Sequence, residues 1–572
     1  MSSFKAYGKF DEAEQARLEA LRKTRKRVAI ICVSSLILVV IVVAAVVGTT
    51  SSGRRSSGAG DTTGTSLSTS VKAVCDVTMH PDSCYSSLRP AVNSSHVTLE
   101  DLPRLSIQVA INELSKTAKY FSNLNATLGK LPAAALTNCR ELLSLAMDDL
   151  TRSLSSSGES LNDVVEDLRT WLSSAATCFD TCIEGFDGDN KLKNTIANPL
   201  KTSTELTSNS LAIVTWIKKA TGSFKLRRLL SDDVNNKEDQ VLPEWLSSGD
   251  RRILLDDSEK LRKNADIVVA KDGTGKYKKI GDALKAVKDK NKKRTVIYVK
   301  KGIYNENVRV EKKKWNVLMV GDGMNATIVS GSLNFVDGTP TFSSATFAVF
   351  GKGFIGRDMG FRNTAGAIKH QAVALMASAD QVVFYRCGVD AFQDSLYAHS
   401  NRQFYRECDI YGTVDFIFGN AAAVFQNCNI LPRVPMKGQR NTLTAQGKTD
   451  PNQNTGIAIQ NCTISPYGDL SSVQTYLGRP WKNYSTTVYL RSYMGSLIHP
   501  SGWLPWTGNS APETIFYSEF ENFGPGSSTK YRVKWKGLRS ISLKEANKFS
   551  VTSFLQGKQW IEGAGVPHKP SI

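Results

Sequence analysis

Four variants of one phrase recur in the second half of the chain: Phe384-Tyr385-Arg386-Cys387-Gly388-Val389, Phe404-Tyr405-Arg406-Glu407-Cys408-Asp409-Ile410, Phe425-Gln426-Asn427-Cys428-Asn429-Ile430 and Ile459-Gln460-Asn461-Cys462-Thr463-Ile464. Cys387 and Cys408 are 21 residues apart, Cys408 and Cys428 are 20, and Gly360-Phe361-Arg362-Asn363 looks like an earlier copy. One such unit cannot bury its apolar side alone, so each copy must stack on the one before. From about 261 onward the chain consists of short β-rich runs separated by Gly, Asn and Asp, with little helical pattern after Ile280 to Lys288. A sandwich would give alternating hairpins. The spacing instead predicts an all-β, right-handed parallel β-helix over 261–572.

The upstream half has a different texture. Between 71 and 222 apolar residues step by three and four, as in Leu136, Cys139, Leu143, Ala146, Leu150 and Leu154, and again in Leu161, Val164, Leu168, Trp171 and Ala175, which predicts an all-α helical bundle. It holds five cysteines. Cys75 with Cys84 is the natural local bridge, while Cys178 and Cys182 compete for Cys139. Residues 48–70, mostly Gly, Ser, Thr and Arg, are a flexible linker. Val28 to Val47 is an apolar run long enough to cross a membrane, and the basic tail 1–27 before it is expected to stay cytosolic, making the run a transmembrane signal anchor. Everything downstream is then routed outward, and sequons at Asn93, Asn125, Asn325, Asn461 and Asn483 suit glycosylation on that route. The segment 223–260 is expected to be a linker. Its two motifs, Arg227-Arg228-Leu229-Leu230 and Arg251-Arg252-Ile253-Leu254-Leu255, suit a processing protease.

Net charge narrows the partners. Lys and Arg outnumber Asp and Glu by 72 to 53, and residues 260–320 alone hold 19 basic and six acidic side chains, so a polyanion is the expected partner. Nucleic acid is a poor candidate, because the chain is routed away from it and carries no recognition motif.

Stacking converts spacing into chemistry. Asp394 and Asp415 are 21 apart, in phase with Cys387 and Cys408, so they should sit on adjacent coils about 4.8 Å apart. Gln371, 22 residues before Gln393, puts a second amide on the same ladder. Two carboxylates so placed cannot both ionise cheaply, which sets up one acid and one nucleophile. Aligned Asp residues also cap turns on solvated faces, but the glutamines and the apolar residues after each Asp weigh against that role here. No Gly-x-Ser-x-Gly elbow is present, and no His-Glu-x-x-His or Cys-x-x-Cys pair suggests a metal, so neither metal nor cofactor is expected. His370 and His399 lack a neighbouring serine in any motif and are taken as structural. Cys408 with Cys428, one coil apart, is the leading bridge in this region.

The blocks Lys369-His370-Gln371-Ala372-Val373-Ala374-Leu375, Ala391-Phe392-Gln393-Asp394-Ser395-Leu396-Tyr397, Gly412-Thr413-Val414-Asp415-Phe416-Ile417-Phe418-Gly419 and Leu477-Gly478-Arg479-Pro480-Trp481 resemble, in order and spacing, the signature blocks of plant pectin methylesterases. The resemblance runs from about Ala265 to the C terminus, and the helical part resembles the pectin methylesterase inhibitor family found as their pro-region. It implies hydrolysis of methyl esters in pectin through an aspartyl acyl-enzyme, with Asp415 as nucleophile and Asp394 as acid and base. Gln393 and Gln371 would donate to the oxyanion, and Arg479 would orient Asp415. Phe418, Trp481 and Thr341 would contact substrate. Proteinaceous pectin methylesterase inhibitors become possible partners, and the mature enzyme would work in the extracellular cell wall. His499, where the family is expected to favour an acid, and the additional Cys178 depart from the pattern. Two rivals remain: a polysaccharide hydrolase on the same architecture, since paired carboxylates also cleave glycosidic bonds, and a noncatalytic wall-binding or inhibitory protein.

Overall fold

The repeated phrase pairs with itself in parallel. Phe384 stands opposite Tyr405, Tyr405 opposite Phe425, and Phe425 opposite Ile459. Inside the coil the first three rings stack at 5.3 and 4.4 Å between centroids. Two residues on, Arg386, Glu407, Asn427 and Asn461 all have φ between 51° and 55°. That left-handed conformation, uncommon for residues other than glycine, turns the chain by a corner in every coil. The next residue of each copy is a buried cysteine.

The computed structural model describes residues 71–92, 101–124, 129–156, 161–229 and 258–572, all within the unit Ser66–Ile572. Three parallel sheets of ten, seven and eight strands wrap the solenoid core. Consecutive neighbours within a sheet come from consecutive coils, which makes a parallel β-helix. The seven-stranded sheet carries β1 Val308–Val310, β2 Phe347–Val349, β3 Leu375–Ala377, β4 Leu396–Ala398, β5 Ile417–Gly419, β6 Asn441–Gln446 and β7 Thr475–Gly478. On the ten-stranded sheet, Ala546, Val551, Leu555 and Trp560 of the C-terminal segment cover Val383, Phe404, Val424 and Val488.

The helical half holds α1 Pro81–Val92, α2 Leu102–Asn123, α3 Lys130–Ser156, α4 Leu161–Glu184 and α5 Asn190–Leu229. Its apolar steps point inward as their period requires: Leu136, Leu143, Ala146 and Leu150 of α3 and Leu168 and Ala175 of α4 are buried. Cys75 bridges Cys84, and Cys139 of α3 bridges Cys182 of α4, leaving Cys178 free and buried. One apolar cluster, with Val74, Leu88, Leu102, Ile213 and Ile217, lies within the helices, and another is shared with the solenoid's flank. Leu136, Leu143 and Phe179 share one apolar cluster with Phe342, Phe350, Met376, Tyr397 and Phe418 on the outer side of the seven-stranded sheet.

Two expectations are corrected. The Cys408–Cys428 bridge is absent, and Cys387, Cys408, Cys428 and Cys462 are all free. Residues at one position of successive coils point the same way, and these thiols donate to backbone carbonyls: Cys408 Sγ to Phe384 O at 3.4 Å and Cys428 Sγ to Tyr405 O at 3.6 Å. The helical half also runs past 222, since α5 continues to Leu229 and holds Arg227-Arg228 in its last turn. A protease would have to unwind that turn. The basic tail, the span 28–47, the linker 48–70, Asn93, Asn125 and Arg251-Arg252 lie outside the described residues. Among those described, no helix is long and apolar enough to cross a membrane. Asn325, Asn461 and Asn483 are exposed.

Candidate active site

Asp394 and Asp415 each stand two residues before a strand of the seven-stranded sheet, and β4 pairs with β5 through Leu396 and Ile417. The carboxylates are therefore in register on adjacent coils, as the spacing of 21 requires. Both backbones are left-handed, with φ of 61° and 52°. The solenoid corner thus holds two Asp residues in a conformation they would rarely adopt alone.

The two side chains have different surroundings. Asp415 accepts from Arg479 Nε at 2.8 Å and Nη2 at 2.6 Å, one to each oxygen, and its Oδ1 also accepts from Thr442 Oγ at 2.6 Å. The Asp415 backbone N–H donates to the same hydroxyl at 2.8 Å. A planar guanidinium bound in this way fixes the carboxylate's plane as well as its position. Asp394 is only 8% exposed. Burial first, and the charge of Asp415 second, push its carboxyl well above the usual carboxylate range, with Arg479 opposing. The dyad therefore contains one fixed acceptor and one carboxyl biased toward keeping its proton.

A cavity of about 320 Å³ opens over the dyad. Every residue nominated for catalysis or substrate contact lines it: Thr341, Gln371, Gln393, Asp394, Asp415, Phe418, Arg479 and Trp481. Register places Gln371 one residue short of Gln393, and Ala372 N–H donates to Gln393 O at 3.3 Å, which keeps the two amides together. The side-chain Oε1 of Gln393 is buried without a partner. Phe418 stacks on Tyr397 at 4.1 Å. His399 is elsewhere, fully buried between Ser378 Oγ at 2.8 Å and Thr181 Oγ at 3.0 Å, where burial lowers its pKa to about 3. His370 is exposed and does not line the cavity. Among the described residues no cluster of His, Cys, Asp and Glu could hold a metal ion.

Sequence reasoning missed three features. Thr442 escaped because it follows Asp415 by 27 residues, the coil having been lengthened by a loop. Trp506, whose ring lies 4.3 Å from the Arg479 guanidinium, belongs to no repeat. The third is the roof: Leu131, Ala135 and Asn138 of α3 and Thr181 and Glu184 of α4, with Gly185 and Asp187, line the cavity from the helical side. Among the described residues four ion pairs join the two halves: Glu141 with Arg309, Asp148 with Lys312 at 2.6 Å, Asp167 with Arg402 at 2.7 Å, and Glu184 with Lys482. Trp171 Nε1 donates to Asp380 at 3.1 Å, and Asp380 also accepts from Arg402.

Comparison with known proteins matches both halves. The family model for pectinesterase covers residues 266–558, and that for plant invertase/pectin methylesterase inhibitor covers residues 69–213. The chain is 56% identical to probable pectinesterase/pectinesterase inhibitor 46 of Arabidopsis thaliana, over 98% of this chain and 99% of that one. It is 47% identical to pectinesterase 3 of Phaseolus vulgaris, over 99% of this chain and 98% of the relative. Among solved structures, pectin methylesterase from carrot aligns with a TM-score of 0.53 at 51% identity, covering 54% of this chain and 98% of its own. With both family models, full-length relatives and a β-helical structural match in agreement, this chain belongs to the pectinesterase family and carries an inhibitor-like helical region ahead of its enzyme region.

Proposed function

We propose that the cavity hydrolyses pectin methyl esters through an acyl-enzyme on Asp415. The observation that carries this is the in-register pair, one carboxylate fixed by Arg479 and Thr442 and the other biased toward its protonated form. Asp415 attacks the ester carbonyl, and the oxyanion receives amide hydrogens from Gln371 and Gln393. Asp394 gives its proton to the departing methoxide, releasing methanol and leaving a mixed anhydride. It then takes a proton from water as that water attacks the anhydride, which frees the galacturonate carboxylate and restores Asp415. The aromatic faces of Phe418 and Trp481 support the sugar. Methanol release from pectin without new reducing ends is the expected result, and new reducing ends without methanol would favour a glycosidase instead.

The helical half has its own part in this reading. Glu184 and Asp187 line the dyad's cavity from the helical side, and the docked helices obstruct a polymer there and hold the enzyme inactive. Residues 28–47 anchor this precursor in the secretory membrane, and cleavage at the dibasic motifs frees the enzyme for the cell wall, with glycans on its exposed sequons. The match of the carrot enzyme over 98% of its own chain supports a solenoid body that stands without the helices.

Docking on this reading depends on pH. Burial raises the carboxyl of Glu184 to about 7 and that of Asp180 to about 6, opposed by Lys482 and by Thr449 respectively. Once the halves part, both carboxyls return to the ordinary range, so docking takes up protons. The contribution of these two carboxyls is full below about pH 4, weakens as pH rises from there to about 7, and changes little beyond. For a chain clipped between 230 and 257, co-elution of the halves is expected to weaken at least tenfold between about pH 5 and about pH 7.5. Glu184→Gln with Asp180→Asn should flatten the profile, whereas a wild-type affinity independent of pH would refute the assignment.

A further inference from the structure

A second cavity, of about 120 Å³, opens on the outer side of the eight-stranded sheet and shares no lining residue with the cavity over the dyad. Strand alternation builds it. Phe361, Val389 and Ile410 point into the solenoid core, so the residues on either side of each point out. Gly360 stands opposite Gly388, Arg362 opposite Asp390, and Asp390 opposite Tyr411. The two glycines leave a bare floor beneath Met324. A Cβ on Gly360 would run into the Met324 carbonyl oxygen, whereas one on Gly388 would make ordinary contact with Met324 Cβ at 3.6 Å. One wall is aromatic: Tyr411 and Tyr467 meet edge to face at 4.9 Å between centroids, and Tyr467 is 51% exposed. Beside them Asp390 accepts from Arg362 Nε at 2.9 Å on one oxygen and from Arg433 Nη1 at 2.7 Å on the other. Among the described residues Nε is the one Arg362 nitrogen that donates to protein, so the rest of the guanidinium is held in place with its N–H groups available. A flat floor, an aromatic wall and a fixed set of donors suit a neutral sugar ring, which offers C–H faces to the tyrosines and hydroxyl or acetamido oxygens to the arginine.

The rim names the sugar's source. Asn325, exposed and first in the sequon Asn325-Ala326-Thr327, lines this cavity. A free ligand would be held poorly here, since sites that capture one usually measure about 300 to 1,000 Å³. A sugar attached at the rim escapes that limit, because a short tether presents it at an effective concentration of about millimolar. We infer that the cavity seats the first N-acetylhexosamine units of a glycan on Asn325, stacked against Tyr411 and Tyr467 and bonded to Arg362. The link from Asn325 Nδ2 to the anomeric carbon is made during export, with a lipid-pyrophosphate sugar as donor, so the folded protein has only to hold a ring already attached. The seated glycan clasps the turn 324–326 to the loop that carries Tyr467. This rests on the reading of the exposed sequons as glycosylated and is independent of the esterase reading.

The test uses the full chain secreted from a eukaryotic host as wild type, Gly388→Val and Tyr411→Leu, with near-UV circular dichroism checking each fold. Peptide mass spectrometry follows removal of the Asn325 glycan by a peptide N-glycosidase, and protection is the rate on denatured chain divided by the rate on native chain. Gly388→Val fills the floor at a strand position where valine is favoured, and Tyr411→Leu removes the stacking ring. Each is expected to lower protection about tenfold, the scale of one lost aromatic contact. Protection unchanged in both variants overturns the role of the cavity alone. A secreted chain with Asn325 unmodified overturns the inference together with the glycosylation reading of that residue. If instead the Asn325→Gln chain binds a second galacturonate oligomer that the added Gly388→Val displaces, the cavity belongs to a free polysaccharide and the inference falls.

Discussion

Asp415→Asn is expected to lower methanol release by about 10⁴-fold or more, since removing a nucleophile abolishes the covalent route and leaves only binding and oxyanion contacts. The amide has nearly the shape of the carboxylate but neither its charge nor its nucleophilicity. Thr442 can still bond the retained oxygen, while Arg479 loses one of its two acceptors. The variant should therefore fold with a modestly lower Tm, and measuring Tm alongside the rate separates loss of chemistry from loss of structure. Asp394→Asn should be less severe, about 10² to 10⁴-fold, as expected for loss of a general acid and base. A rate for Asp415→Asn near that of wild type would rule out the covalent role.

The second large effect is removal of the roof. The body 257–572 is expected to turn over pectin at least about 10²-fold faster than the intact chain, because side chains of α3 and α4 form part of the wall of the cavity that holds the dyad. Comparing equal molar amounts of both forms, with and without protease cleavage of the intact chain, measures this directly. Breaking the Trp171–Asp380 contact between the halves should give an intermediate result. Trp171→Ala removes both a buried ring and the indole N–H that reaches Asp380, so the intact chain carrying it should leak activity. Equal rates for the body and the uncut wild type would mean that the helices do not exclude substrate.

The solenoid and its dyad were legible because two central coils have equal length. Asp394 and Asp415 repeat at the same interval as Cys387 and Cys408, so arithmetic sufficed to bring them together. The argument weakens wherever a loop lengthens a coil. From Cys428 to Cys462 the step is 34 residues, and Thr442 falls beyond such an insertion. The cysteine ladder was legible as a set of positions but misread as chemistry, because spacing reports that side chains stack and says nothing about where their sulfurs point. The roof could not be read at all. Glu184 and Lys482 lie nearly 300 positions apart, on elements of different period, and neither pattern carries information about the other.

The apolar cluster common to the bundle and the seven-stranded sheet has a consequence for the life of the precursor. Phe342, Phe350, Met376, Tyr397 and Phe418 form a greasy strip that would face water on a solenoid without its helices. Bare strips of this kind adhere to one another when chains are crowded. A cover made by the same polypeptide arrives at a fixed one-to-one ratio and needs no partner to be found. Were the cover removed, the same strip would be free to meet the sugar rings of a polysaccharide rather than another copy of the protein.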